Sequence, residues 1–254
     1  MTEDIQWPRA KYWDRAWNPI IGCKAVSPAC EHCWARGWAD RFSKDFKPHY
    51  SGAKKPPSKG VVFCGNLTDM FGEWVLHCEA VSYIAKAIDA SGPRSVFLWL
   101  TKRARRMVDD LGIVLREFIR KGWLDNHYFG FTAENQQWYD KRISDFRGLK
   151  PDWANGWLSA EPLLGPLDIG LRYIPPEDQP FEWVVVGCES GPERRPCKVE
   201  WVERVVDECL AARVPVFVKQ LDMGGKVVTD IEKFPAHLRI RQVPWATPKQ
   251  TAKK

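Results

Sequence analysis

Ser95-Val-Phe-Leu-Trp-Leu100-Thr101-Lys102-Arg103, a stretch of helical periodicity to Lys121, then His127-Tyr-Phe-Gly-Phe131-Thr132-Ala133-Glu134-Asn135: this run decides the fold. Both apolar segments are hydrophobic without alternation, as strands buried on both faces of a parallel sheet are. Between them Met107, Leu111, Leu115 and Ile119 recur at steps of four, which marks one face of a helix over 103–121. Two parallel strands need such a crossover, and its hand is right.

The same unit repeats in both directions. Val61-Val-Phe-Cys64, Gly156-Trp-Leu158, Glu182-Trp-Val-Val-Val186 and Val214-Pro-Val-Phe-Val218 read as further strands, and 73–90, 135–146 and 199–212 as further helices. With Trp17–Gly22 as the first, seven strands are expected. The fold class is α/β, a TIM-like (β/α) barrel, complete or incomplete, favoured over a doubly wound sheet. The polar segment 45–59 and the Pro-rich, acidic segment 167–180 read as loops. No shift of composition marks a boundary, so residues 1–254 are expected to form one domain. A flexible basic tail, about 245–254, carries Lys249, Lys253 and Lys254.

Composition narrows the setting. No apolar run approaches the ~18–20 residues of a membrane span, and the N-terminus lacks the basic and apolar regions of a signal peptide. The expected compartment is the cytoplasm, where stable disulfides are rare. The eight cysteines then read as metal ligands plus free thiols rather than a disulfide framework. A net charge of +6 is compatible with an anionic or nucleic-acid partner, and equally with a solvated helix face at Lys102-Arg103-Ala-Arg105-Arg106. Most of the fourteen tryptophans should anchor core and loops, leaving some free to stack on bases.

Chemistry concentrates in Cys23-Lys-Ala-Val-Ser27-Pro-Ala-Cys30-Glu-His32-Cys33. Three thiols are one short of a closed structural zinc site or a saturated iron–sulfur cluster. Zinc would need a fourth ligand from His32, Cys64, His77 or Cys78; a cubane would keep its fourth iron open for a chelating ligand. His32 and His77 otherwise read as structural residues. A second signal is that successive strands end in polar groups: Asp69, Lys102, Glu134, Glu161, Glu189 with Ser190, and Lys219 with Gln220. In a barrel such ends converge on the face that carries the site; taken singly, each could cap a helix or form an ion pair.

These residues resemble a known group. The motifs that carry the resemblance are Trp17-Asn-Pro-Ile-Ile-Gly-Cys23 with Ser27-Pro-Ala-Cys30-Glu-His-Cys33-Trp34-Ala35, Asp69-Met-Phe71, Leu100-Thr-Lys-Arg103, Thr132-Ala-Glu-Asn135, Ser159-Ala-Glu-Pro-Leu-Leu-Gly-Pro166, Val186-Gly-Cys-Glu-Ser-Gly-Pro192 and Val218-Lys-Gln220. Over roughly residues 13–222 the chain resembles a phage-associated family of uncharacterised three-cysteine-motif proteins related to radical SAM enzymes. Here six residues lie between the first two cysteines, whereas the commonest radical SAM loop has three between them, and Cys188 stands where a small residue such as glycine is expected.

The resemblance implies a [4Fe–4S] cluster on Cys23, Cys30 and Cys33 and S-adenosylmethionine as the chelating ligand, cleaved to start radical modification of an unknown substrate, nucleic acid being one candidate. It also implies that Asp69 receives the cofactor's amine, that Lys102 and Arg103 hold its carboxylate or a substrate phosphate, and that Glu134 and Asn135 bind ribose hydroxyls. Glu161, Glu189 and Lys219 become the catalytic groups that orient substrate or move protons. An electron donor such as flavodoxin or ferredoxin follows, in the host cytoplasm if the gene is a phage's. The alternatives are a zinc-stapled, non-catalytic nucleic-acid-binding barrel, and a hydrolase or nuclease using the carboxylates with a divalent metal.

Overall fold

The computed structural model describes residues 7, 9–42, 44–53, 55–92, 95–112, 115–147 and 155–245. The expected tail lies outside the described residues except for Trp245. The strands are β1 (Arg15–Trp17), β2 (Ile20–Ile21), β3 (His49–Tyr50), β4 (Gly60–Cys64), β5 (Ser95–Thr101), β6 (His127–Thr132), β7 (Gly156–Ala160), β8 (Trp183–Gly187), β9 (Val216–Met223) and β10 (Lys226–Val228). The helices are α1 (Trp34–Arg41), α2 (His77–Ala90), α3 (Ala104–Gly112), α4 (Leu115–Arg120), α5 (Gln136–Phe146) and α6 (Val199–Ala212).

The chain is a mixed α/β fold around one eight-stranded sheet of order β1-β4-β5-β6-β7-β8-β9-β10. Every neighbouring pair from β1 to β9 is parallel, and only β10 runs antiparallel, as a hairpin on β9. Among the described residues no ladder joins β1 to β10, so hydrogen bonding leaves the sheet open.

Its two faces are buried differently. Val62, Cys64, Phe97, Trp99, Phe129, Phe131, Val184 and Val186 meet the apolar sides of α2, α3, α5 and α6 in one large core. The alternate residues Val61, Phe63, Leu98, Tyr128, Trp157, Trp183, Val185 and Phe217 face a second core that, among the described residues, contains no helix residue. Tyr12 sits at its centre, with ring centroids 6.4 Å from Phe63 on β4, 6.1 Å from Trp157 on β7, 5.2 Å from Trp183 on β8 and 5.5 Å from Phe217 on β9. One ring can touch four strands only where that face is concave. A doubly wound sheet would carry helices on both faces.

Gly130 is fixed by this packing. A Cβ there would lie 2.2 Å from the Trp157 carbonyl, and the Trp157 indole takes the space, donating Nε1–H to the Trp99 carbonyl at 3.0 Å.

Several expected boundaries move. The first sheet strand is Arg15–Trp17, not 17–22, because Pro19 has no N–H for a ladder and Ile20–Ile21 turns away to pair antiparallel with His49–Tyr50. The helix expected from 73 starts at His77, where the Glu79 carboxylate accepts the Leu76 N–H at 2.9 Å and caps the first turn. The helix expected over 103–121 is described as α3 and α4, with 113–114 between them outside the described residues.

Candidate functional site

The cysteine segment leaves β2 at Gly22. That glycine has φ +94°, and a Cβ on it would lie 2.3 Å from the Lys47 carbonyl oxygen. Its N–H donates to the Leu67 carbonyl at 3.0 Å, its carbonyl accepts from Thr68 Oγ1 at 2.6 Å, and the Cys23 N–H donates to the Phe46 carbonyl at 3.1 Å. Pro28–Cys30 forms a single 3₁₀ turn, and Cys33 occupies the N-cap position of α1. Ala35, Ala39 and Phe46 form a small core of their own, against which Cys23 and Cys33 pack. The loop therefore has its own apolar support.

Beside it, at the C-terminal ends of the parallel strands, is a cavity of about 430 Å³. Cys23, Cys30 and Cys33 line it together with Asp69, Lys102, Arg103, Glu161, Cys188, Glu189 and Lys219. The strand ends thus converge on the cysteine loop. Glu134 and Asn135 do not line it. Asn135 caps α5, accepting the Trp138 N–H at 3.2 Å, and Glu134 turns inward to Arg142 Nη1 at 2.6 Å, both side chains being buried. A buried guanidinium needs a carboxylate, and Arg142 has taken the one expected to face a ribose.

The charged groups are mostly paired. Asp69 Oδ1 accepts from the Phe71 N–H at 3.0 Å and Thr101 Oγ1 at 2.7 Å; Oδ2 accepts from the Lys102 N–H at 3.0 Å and Arg103 Nη1 at 3.1 Å. Four internal donors occupy the carboxylate, so in this structure it locks the β4 and β5 ends together rather than offering a free oxygen. Arg103 carries the lock onward: Nη2 donates to the Lys24 carbonyl at 3.1 Å, inside the cysteine loop. Lys219 Nζ pairs with Glu161, which also accepts from Gln220 Nε2 at 3.1 Å.

Glu189 is the second lock. It accepts from the Arg195 backbone N–H and Nε, each at 2.9 Å, and from Arg195 Nη2, and lies 3.3 Å from His32 Nδ1. Arg195 also donates to Glu31 at 2.9 Å and to the Pro28 carbonyl at 3.0 Å. Burial alone would raise the Glu189 pKa; the Arg195 bonds and charge, helped by His32, outweigh it and hold the carboxyl below its ordinary value. Arg195 escaped the sequence reading. Its one signal is the basic pair Arg194-Arg195 shortly after Glu189-Ser-Gly, and nothing local says that it reaches back to residue 28.

The thiols differ. Burial, with Asp69 adding to it, pushes the Cys23 thiol up to about 12. Burial also disfavours the Cys30 thiolate, but Lys102 and hydrogen bonds from the Val26 and Ser27 segment outweigh it and bring that thiol below its usual range. Burial next to Cys197, Asp222 and Glu161 pushes the Cys188 thiol up to about 12, so it stays protonated. All three loop cysteines are half-buried free thiols. Among the described residues no three His, Cys, Asp or Glu side chains are grouped to hold a metal ion. Lys102 makes no ion pair in the cavity among the described residues.

A family model described as "Protein of unknown function (DUF5131)" matches residues 7–238. The chain belongs to the DUF5131 family. The matched span takes in every residue that lines the cavity, from Lys11 to Lys219. No curated protein and no solved structure matches the chain.

Proposed function

We propose that this chain is a radical S-adenosylmethionine enzyme built on an incomplete (β/α) barrel, with one [4Fe–4S] cluster on Cys23, Cys30 and Cys33. The observation that carries the reading is the convergence of three free, half-buried thiols and six strand-end charged groups on one 430 Å³ cavity, a volume within the range of small-molecule sites. The single-sided helices and concave inner core support the barrel form.

The donor set fits the cluster. The three loop thiols line the cavity, and the one other cysteine among its lining residues is Cys188, from the strand ends. A tetrahedral zinc needs its ligands to meet at one ion, whereas a cubane takes each thiolate on a different iron, so the thiols need only surround it. When bound, the cluster supplies one-electron reductive cleavage of S-adenosylmethionine, with electrons from a flavodoxin- or ferredoxin-type donor in a reducing compartment, the host cytoplasm for a phage protein.

The chain's own residues then have separable tasks. The Asp69–Arg103–Lys24 and Glu189–Arg195–Pro28 bonds hold both ends of the cysteine loop against the strand ends. Lys102, with no ion pair among the described residues, offers an ammonium to a ligand carboxylate or phosphate. Lys219 and Glu161, an ion pair that lines the same cavity, are the groups placed to orient substrate or move a proton.

Anaerobic purification should give a brown protein with about four iron and four sulfide per chain. Adding S-adenosylmethionine and a strong reductant should release 5′-deoxyadenosine. Zinc in place of iron, with oligonucleotide binding and no cleavage, would instead support the zinc-stapled binding barrel.

A further inference from the structure

Helix α1 begins at the last cysteine and carries Trp34, Trp38 and Phe42 at steps of four residues, the last at its C-cap. At this spacing the three rings fall on one side of the helix. The outer two rings are not a core face, whereas Trp38 is half-buried and packs against the Ala35–Ala39–Phe46 core. The side chains that bury α1 are Ala35 and Ala39, while Trp34 and Phe42 are 52% and 56% exposed. Trp34 lines the cavity, Trp38 packs on Phe42 with ring centroids 5.4 Å apart, and Lys44 Nζ lies 5.2 Å over the Trp38 ring. Arg41 flanks the same side by helical spacing, and neither Arg41 nor Lys44 makes an ion pair among the described residues. Asp40, the one acid of α1, falls on the opposite side.

We propose that this aromatic ladder and its cations form the entry track of a single-stranded nucleic acid, one of whose nucleotides enters the cavity. The assignment rests on the reading of that cavity as the site of chemistry. Trp34 and Phe42 are eight residues apart, about 12 Å along the helix, so one unpaired strand running along α1 can pass both rings. Exposed rings offer stacking faces to unpaired bases, and a duplex hides those faces. The cations beside them suit phosphates, and Lys102 extends the positive charge into the cavity without a competing carboxylate of its own. An acidic peptide would use the charges but leave the rings without a role.

The test is fluorescence anisotropy of a labelled short single-stranded oligonucleotide on the full-length, cluster-loaded protein across a salt series. Trp34→Ala and Phe42→Ala are each expected to weaken binding roughly 5- to 150-fold, the loss of one stacked base. Arg41→Glu with Lys44→Glu should reduce the salt slope by about 1.4, at ~0.7 per phosphate contact on a single strand. Both rings are exposed, so circular dichroism should match the parent.

Three results would overturn the track: no binding at low salt, binding indifferent to both ring substitutions, or equal competition by polyglutamate, which would assign the surface to an acidic protein. Release of 5′-deoxyadenosine without oligonucleotide binding overturns the track and leaves the cofactor reading intact. Ring-dependent binding by a zinc-loaded, non-cleaving protein supports the track and removes the cofactor reading.

Discussion

Glu189 shows how much of this site depends on one side chain. A carboxylate at the end of β8 is bonded by Arg195, and the same guanidinium grips Glu31 and Pro28 of the cysteine loop. Its folded-state pKa lies below the ordinary ~4.3 of a glutamate. The sign follows: the lock stabilises the fold fully above that ordinary value and is lost as pH falls through the folded one. Melting temperatures of the parent should therefore drop steeply below about pH 4.3, while Glu189→Gln should melt lower at neutral pH and show a shallower acid dependence. Equal acid slopes in the two proteins would refute the lock. At Cys30, a half-buried thiol with few packing duties, Cys30→Ala should leave the fold intact and abolish both iron retention and 5′-deoxyadenosine release; retention of either would contradict the ligand assignment.

At the scale of elements, the cysteine loop is a small folded unit with a defined entrance. Gly22 turns the chain from β2 into the loop at a φ of +94°, pressed against the Phe46–Lys47 backbone. Gly22→Ala meets a left-handed penalty of about 1–2 kcal/mol and a carbonyl only 2.3 Å from the new carbon. The loop must shift, so we expect iron content per chain to fall more sharply than helicity by circular dichroism. Equal losses would place the damage in the main core. The strand–helix repeats were legible because their periodicity is local. The β2–β3 pairing was not: two-residue strands carry no period, and Pro19 and the Gly22 turn show their effect only once residues 46–50 return beside them.

For the molecule as a whole, the inner core decides the curvature of the sheet. Tyr12, from a segment before the first strand, contacts β4, β7, β8 and β9 residues at once. Tyr12→Ala should cost about 3–5 kcal/mol, as large-to-small changes of buried aromatics do, measured as a shift in urea midpoint at constant slope. A loss under 1 kcal/mol would mean that the concavity does not depend on this ring.

The parallel α/β repeat, the polar strand ends and the three-cysteine loop were legible in the residues alone, because each follows from residue type and spacing within a few turns of chain. The sequence also named Asp69, Lys102, Arg103, Glu161, Glu189 and Lys219, all of which line the cavity with the cysteines. Tertiary structure alone decided which of those charges are free. Asp69 is held by four donors, Glu134 is taken by Arg142, Glu189 by Arg195, and Lys102 is left over. Pairing of buried charges depends on distances between residues remote in the chain, and residues 28 and 195 meet only because the parallel strands bring their ends to one side.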